Sequence, residues 1–137
     1  MTTATDLRVA DLMTLDPVTV PIDATIEEAE SLLRDFRISG LPVVDEHNRL
    51  VGVISQTDLL YLAMPTVQAL IRHRGSGLRI GEVMSVPAMT VDAMATLTKA
   101  ARIMDRNHLH RLVVVDGEGR PVGVLSSMDY VALAAEG

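Results

Sequence analysis

The sequence predicts an α+β (α/β) domain built from two copies of one strand–helix–strand–strand–helix unit. Shifting the chain along itself by 71 positions aligns residues 9–63 with residues 80–134 without a gap, and 18 of the 55 aligned pairs are identical. Within each copy, apolar residues first recur at helical spacing and then form two short β-branched runs. A long unit present only twice indicates two copies packed together rather than an extended array.

The elements of each copy follow from local patterns. In the first copy, Thr25 with Glu28 three positions on has the capping-box pattern that starts a helix, and Gly40 separates that helix from the strands. Because the strand runs are nearly all apolar, both faces of each hairpin must be covered. The predicted elements are a strand over 17–20, a helix over 26–37, strands over 41–44 and 49–54 and a helix over 56–63, then a strand over 89–91, a helix over 97–108, strands over 112–115 and 121–125 and a helix from 128.

The repeat also sets the domain organisation. Residues 1–64 are predicted to form the first repeat with an N-terminal lead-in, residues 65–79 a linker, and residues 80–137 the second repeat. The run RGSG at 74–77 is typical of a flexible joint. Since one repeat alone is too small to bury a comfortable core, we expect the two to fold as one cooperative unit.

Composition excludes several classes of function. The net charge of −6 repels phosphate backbones, so duplex nucleic acid is not an expected partner. The absence of cysteine excludes disulfides, thiolate nucleophiles and cysteine zinc sites. The sequence has no signal-peptide pattern and no apolar run near 18 residues, which favours a cytoplasmic protein that does not bind a membrane. It also lacks the common catalytic motifs, so no enzymatic activity is predicted.

The order of motifs resembles a known family. The pentapeptide LPVVD at 41–45, a polar turn, the run LVGVIS at 50–55 and then Asp58 at a helix start are similar to the cystathionine-β-synthase (CBS) domain. Two such units in tandem resemble a Bateman module, and the resemblance includes the short lead-in segments at 9–13 and 80–84. The resemblance implies a regulatory fold with two repeats related by a pseudo-twofold axis. It also implies homodimers and clefts between the repeats that bind AMP, ADP, ATP or S-adenosylmethionine.

The resemblance places a ligand motif at the start of the last helix of each repeat. It comprises Ser55, Thr57 and Asp58 in the first repeat, and Ser126 and Asp129 in the second. A hydroxyl and free amides at a helix N-terminus suit phosphate, while a carboxylate can accept both ribose hydroxyls. The same residues are equally suited to plain helix capping, because serine is a preferred N-cap and aspartate favours the first turn.

Two further features belong to this interpretation. The family's nucleobase would lie against the backbone of Thr19 and Val20 in one repeat and of Thr90 and Val91 in the other. Arg111 precedes the second hairpin, where a guanidinium would chelate phosphate. Gly40 stands at the matching place in the first repeat, which predicts two unequal clefts with at most one strong nucleotide site.

Three polar residues suggest a metal site as a weaker alternative. Asp105 and His108 are predicted to share a helix face, and His110 follows closely. Such a set could hold Zn²⁺, although no fourth ligand is near in the sequence and the residues are more simply the end of a helix.

The sequence therefore predicts a regulatory module with no cofactor. Its regulatory ligand would be an adenine nucleotide or S-adenosylmethionine, and it would signal through the packing of a homodimer to an unknown protein target. Two alternatives stay open: a ligand-free module for dimerisation and protein docking, and a metal-linked sensor.

Overall fold

The computed structural model describes residues 7–74 and 77–136. The predicted order of strand, helix, strand, strand and helix is confirmed in both repeats. The elements are α1 (Val9–Leu12), β1 (Thr14–Leu15), β2 (Val20–Pro21), α2 (Ile26–Phe36), β3 (Gly40–Val44), β4 (Leu50–Ser55), α3 (Gln56–Leu62), α4 (Pro65–Arg74), a 3₁₀ helix (Ile80–Glu82), β5 (Thr90–Asp92), α5 (Leu97–Arg106), β6 (Arg111–Val115), β7 (Pro121–Ser126) and α6 (Ser127–Glu136).

The chain forms two compact units, and neither coincides with one repeat. The contiguous unit is Val18–Ala88, and the composite unit combines residues 89–136 with residues 7–17. In the contiguous unit the strand order is β2-β3-β4, with β2 parallel and β4 antiparallel to β3. In the composite unit the order is β1-β7-β6-β5, so β1 is added beyond the matching three strands.

Each unit has its own aliphatic core. In the contiguous unit, Leu33 of α2 packs against strand residues such as Leu41 and Ile54. In the composite unit, Leu97 and Met104 of α5 occupy the corresponding place. These helix residues are buried because the apolar stripe of each amphipathic helix faces the sheet, as the periodicity predicts.

The lead-in segments are exchanged between the repeats. In the composite unit, the Val9 and Ala10 amides each donate to a second-repeat carbonyl at 2.9 Å, Val9 to Ala95 and Ala10 to Ala93. In the contiguous unit, the Ile80 amide donates to the Ala24 carbonyl at 2.9 Å in the matching bond. Val9 and Ile80 are both fully buried. Each lead-in therefore completes the core of the repeat to which it does not belong in sequence.

Helix ends depart from the predicted bounds by one or two residues. Arg37 and His108, at equivalent places in the two repeats, both have φ of 54° and lie beyond the helices. A left-handed residue cannot continue an α-helix, which explains why α2 and α5 end before them. Phe36, which continues the apolar helical spacing of α2, is 56% exposed because it occupies the last turn.

The segment between the repeats contains a helix. This helix, α4, begins at Pro65. The predicted joint at 74–77 includes residues 75 and 76, which lie outside the described residues. The boundaries 1–64, 65–79 and 80–137 follow the repeat in the sequence and stay a prediction. Among the described helices, none is long and apolar enough to cross a membrane.

Candidate functional site

The first candidate site lies where β4 passes into α3 in the contiguous unit. The Asp58 carboxylate accepts the Ser55 amide at 2.9 Å and the Ser55 hydroxyl at 3.0 Å, both through Oδ2. In return, the Asp58 amide donates to Ser55 Oγ at 3.2 Å. This is a reciprocal helix cap, so the capping role that the sequence allowed is present. Thr57 is exposed one position before Asp58.

The composite unit repeats this arrangement where β7 passes into α6. The Asp129 carboxylate accepts the Ser126 amide at 2.7 Å and the Ser126 hydroxyl at 3.2 Å. The next residue, Tyr130, donates its hydroxyl to the Leu97 carbonyl at 2.6 Å, which ties α6 to the start of α5. Burial raises the pKa of Tyr130, and the adjacent Asp129 carboxylate raises it further. Each candidate aspartate is thus held in a fixed place by its own helix start.

The two sites differ in the residue that faces the serine. Arg111 of β6 lies directly opposite Ser126 of β7, whereas Gly40 of β3 lies opposite Ser55 of β4. Directly opposed residues project to the same face of a sheet. Arg111, an exposed residue, therefore belongs to the same face as the Ser126 hydroxyl, and the contiguous unit has no cation at the matching place.

The predicted nucleobase segments lie on outer strands of the sheets. Val20 and Val91 pair with the central strands β3 and β6, and their side chains are buried in the cores. Only their backbone remains available to a ligand. Because β2 and β3 are parallel, Thr19 lies toward the end of the sheet that holds Gly40, and Thr90 lies likewise toward Arg111.

A cavity of about 560 Å³ opens beside Asp58 in the contiguous unit. Its volume falls within the range of small-molecule sites. The walls are mainly apolar, with Tyr61, Leu62 and Val83 among them, and the Glu82 carboxylate is a second acidic group in the lining. Glu82 also caps the 3₁₀ helix, since its Oε2 accepts the Arg79 amide at 2.8 Å. Among the described residues that line the cavity there is no basic side chain.

The metal hypothesis fails on the helix geometry. His108 lies beyond the end of α5 with its backbone in the left-handed region, so it does not share a helix face with Asp105. Within the described residues, no three side chains of histidine, aspartate or glutamate are close enough to hold an ion, so His110 does not complete a set with them. The prediction of a shared face was wrong because the helix ends earlier than its periodicity suggested.

Comparison with known proteins decides the family. The CBS domain family model matches residues 9–64 and residues 80–136. The chain belongs to the CBS domain family. It contains two CBS repeats, and these account for nearly all of the described fold.

Solved structures of other CBS pairs have the same fold. CBSX2 of Arabidopsis thaliana, solved in complex with AMP, is 33% identical and superposes with a TM-score of 0.81, covering 94% of this chain and 96% of that chain. The CBS pair of protein MJ0100, in complex with 5′-methylthioadenosine and S-adenosyl-L-methionine, is 28% identical with a TM-score of 0.73, covering 95% and 97%.

An enzyme is also among the relatives of this CBS pair. The inosine-5′-monophosphate dehydrogenase of Mycobacterium tuberculosis is 35% identical over 120 residues, which are 87% of this chain and 21% of the dehydrogenase. The chain thus spans about a fifth of that relative, and the similarity concerns its CBS portion.

One residue at the first CBS repeat's site, Ser85, was not predicted from the sequence. The Ser85 hydroxyl donates to Asp58 Oδ1 at 3.3 Å, from the segment that follows the second lead-in. Backbone bonds between Ser85 and Val53, at 2.8 and 3.1 Å, hold this segment against β4. The signal was present in the repeat alignment, because Thr14 is the equivalent residue and also carries a hydroxyl.

Proposed function

We propose that this CBS pair is a regulatory module that binds an adenosine-containing nucleotide and passes the signal on through the packing of a homodimer. The proposal rests chiefly on one arrangement, in which Arg111, Ser126 and Asp129 lie together at one end of the composite sheet. The similarity to CBSX2, which was solved in complex with AMP, supports the choice of ligand class.

Each residue has a role that its chemistry allows. The Ser126 hydroxyl and the Arg111 guanidinium would bind phosphate oxygens, and Arg111 could do so with two parallel bonds. The Asp129 carboxylate would accept the ribose hydroxyls while its Oδ2 continues to cap α6. The backbone at Thr90 and Val91 would contact the base. Ser55, Thr57 and Asp58, with the backbone at Thr19 and Val20, would form the weaker counterpart in the first repeat.

The proposed role is regulation without catalysis. The matched part of the dehydrogenase is a fifth of that enzyme, so its activity does not pass to this chain by similarity. The regulatory ligand would be AMP, ADP, ATP or S-adenosylmethionine, and the recipient of the signal a separate protein. The proposed location is the cytoplasm.

The test compares thermal unfolding of the intact chain with and without each ligand. A ligand at about a hundred times its Kd stabilises a protein by about 2.7 kcal/mol, which moves the midpoint of a domain this size by several degrees. Asp129→Ala should abolish the shift. Because it also removes a cap, it should lower the ligand-free midpoint by the equivalent of about 1 kcal/mol.

Thr96→Ala provides the matched control. Thr96 Oγ1 caps α5 by accepting the Lys99 amide at 3.1 Å, so its loss costs a similar amount of stability without touching Ser126 or Asp129. This variant should keep the full ligand shift. Equal loss of the shift in both variants would mean that the assignment of Asp129 is wrong.

A docking module that binds no small molecule is the second candidate. Leu60 of α3 and Val131 of α6, at equivalent places in the two repeats, are 72% and 56% exposed. Leu60 adjoins the exposed Tyr61 and Met64 on one surface, and a contiguous apolar patch of this kind favours a protein contact. If the homodimer uses them, Leu60→Glu should give a monomer in light scattering, whereas Met94→Glu, at a similarly exposed methionine outside these helices, should not. A dimer that responds to none of the ligands would favour this second function.

A further inference from the structure

The equivalent helices α2 and α5 carry charges of opposite sign. Residues 71 positions apart occupy the same place in the two helices, and at three such places both residues are charged. These pairs are Glu28 and Lys99, Arg34 and Asp105, and Asp35 and Arg106. In all three pairs the sign is reversed. Duplication alone would give both helices the same sign, so the reversal needs a physical reason of its own.

One stripe of each helix collects charge of a single sign. Residues three and four positions apart are neighbours on a helix surface. The acidic face of α2 comprises Glu28, Ser31 and Asp35, and the basic face of α5 comprises Lys99, Arg102 and Arg106. The charged members of both faces are exposed. Within the described residues, none of these charged side chains makes an ion pair, so both faces have their charge available to a partner.

The dipoles of the helices do not account for the two faces. A helix dipole favours acidic side chains in the first turn and basic side chains in the last turn. Lys99 lies in the first turn of α5, where its amide donates to the Thr96 cap at 3.1 Å. Asp35 lies in the last turn of α2. Since each is placed against the dipole of its own helix, the single sign of each face favours an external partner as its cause.

An exposed apolar surface adjoins each charged face. In the contiguous unit, α2 contacts α3, on which Leu60 is exposed. In the composite unit, the bond from the Tyr130 hydroxyl to the Leu97 carbonyl ties α6 to α5, and Val131 of α6 is exposed. Apolar side chains beside polar ones are typical of a protein interface, in which the charges determine the orientation of the partner. Each unit thus has an apolar surface and a charged face, and the two units differ in the sign of the charge.

We propose that the homodimer is antiparallel, with the acidic face of α2 in one copy against the basic face of α5 in a second copy. This rests on the homodimer of the proposed function and names the surfaces that form it. A twofold axis brings the same two faces together twice. Arg34 and Asp105, which border the faces, are complementary in the same arrangement. A parallel dimer would place α2 against α2 and α5 against α5, and like charges would repel at both contacts.

Sedimentation of the intact chain over a range of protein concentrations tests this proposal. The Kd of the natural dimer should rise with added NaCl, because salt screens the attraction between the faces. Glu28→Lys with Asp35→Arg gives both helices a positive face and should raise the Kd at least about tenfold. Lys99→Glu with Arg106→Asp gives both a negative face and should do the same. The variant that combines all four changes has the natural composition with the two faces exchanged, and it should restore the natural Kd.

A matched control separates the position of the charges from the net charge. Glu46→Lys with Glu118→Lys changes the net charge by the same amount as the α2 variant, at two exposed residues of the hairpin turns. This control should keep the natural Kd. An increase in Kd equal to that of the α2 variant would mean that net charge, and not the acidic face, governs the dimer, and would overturn the proposal.

The outcomes separate this inference from the function on which it rests. Antiparallel packing would be overturned, and the homodimer kept, if added salt strengthens the dimer, if either single-helix variant leaves the Kd unchanged, or if the combined variant fails to restore it. A natural chain that stays monomeric would overturn the homodimer and this inference with it. Nucleotide binding is measured independently by the thermal shifts, so its failure is distinct from both results.

Discussion

The candidate aspartates each serve structure first. Asp58 and Asp129 accept the amide and hydroxyl of the serine three positions earlier, and a cap of this kind is worth about 1 kcal/mol. Since a carboxylate has several lone pairs, one oxygen can cap the helix while the other faces a ligand. The sequence alone could not separate capping from binding, because both need a hydroxyl and a carboxylate at the same spacing.

Ser85 should act as a positioning residue for Asp58. Ser85→Ala removes the hydroxyl that donates to Oδ1, and we expect it to weaken binding of the adenosine ligand at the first repeat's site about threefold to tenfold, which corresponds to about 1 kcal/mol. Because Ser85 is exposed, stability should change by less than about 0.5 kcal/mol. Thr14→Ala, the equivalent change in the composite unit, should leave this affinity unaltered. Identical affinities in the natural protein and both variants would mean that Ser85 does not contribute to the site.

The aspartates in the hairpin turns should make the free energy of unfolding depend on pH in acid. The pKa of Asp116 is lowered chiefly because its carboxylate accepts the Arg120 amide and then the Glu118 amide. Its stabilisation is therefore complete above the unfolded pKa of about 3.9 and is lost as pH falls through the lower folded value. The unfolding free energy of Asp116→Asn, measured with urea, should depend less on pH between about 5 and 3 than that of the natural protein.

Asp45 offers an internal repetition of this test. Bonds from the Arg49 amide and then the His47 amide lower its pKa in the same way. Asp45→Asn should therefore reduce the pH dependence of the unfolding free energy at acid pH to a similar degree. Parallel pH curves for the natural protein and both variants would show that these bonds do not couple folding to protonation.

At the scale of elements, the exchanged segments fit the sheets closely. Gly52 and Gly123 occupy equivalent places in β4 and β7. A Cβ at Gly52 would lie 2.6 Å from the Met84 sulfur and 2.9 Å from the Ser85 carbonyl oxygen. The Val-Gly-Val pattern in both repeats thus reflects the close approach of a backbone that belongs to the other repeat in sequence.

Adding one methyl group at these glycines should be destabilising. We expect Gly52→Ala and Gly123→Ala each to lose about 1–3 kcal/mol of unfolding free energy, because backbone atoms on the exchanged segment must move. Gly117→Ala is the control, since nothing lies within 4 Å of its added Cβ and the change should stay within about 0.5 kcal/mol. Urea unfolding at neutral pH measures all three. Equal stability of the three variants would mean that close contact of the exchanged segments with β4 and β7 does not limit the size of the residue there.

The long elements were predictable from the sequence, whereas α1 and β1 were not. The periodicity of α2 and α5 and the apolar hairpins carried enough residues to be recognised in the sequence. By contrast, α1 spans four residues and β1 two, which is too few for a period. The partner of Thr14 is Val124, at the other end of the chain, and no local pattern specifies such a pairing. Ser85 was missed although the repeat places a hydroxyl at both equivalent positions, because no local pattern specifies its contact with Asp58.

For the whole molecule, stability should follow the compact units and not the repeats. Val9→Ala removes two methyl groups from the core around Val91 and Leu97, and we expect a loss of about 2 kcal/mol. Hydrogen exchange should then accelerate most in residues 89–136. Ile80→Ala should give the reverse pattern, with faster exchange in residues 18–74. Faster exchange within the repeat that contains the substitution would contradict the exchange of lead-ins.

The composite unit uses both ends of the chain, so the contiguous unit is inserted into it in topological terms. A circularly permuted gene that starts at Val18, runs to the C-terminus and continues through a linker into residues 1–17 would encode the two units one after the other. Such a gene could be divided after Ala88 into two separately expressed polypeptides. Each polypeptide would contain a complete sheet and the lead-in segment that completes its core. Dividing the natural gene at that point would place β1 and β7 on different polypeptides.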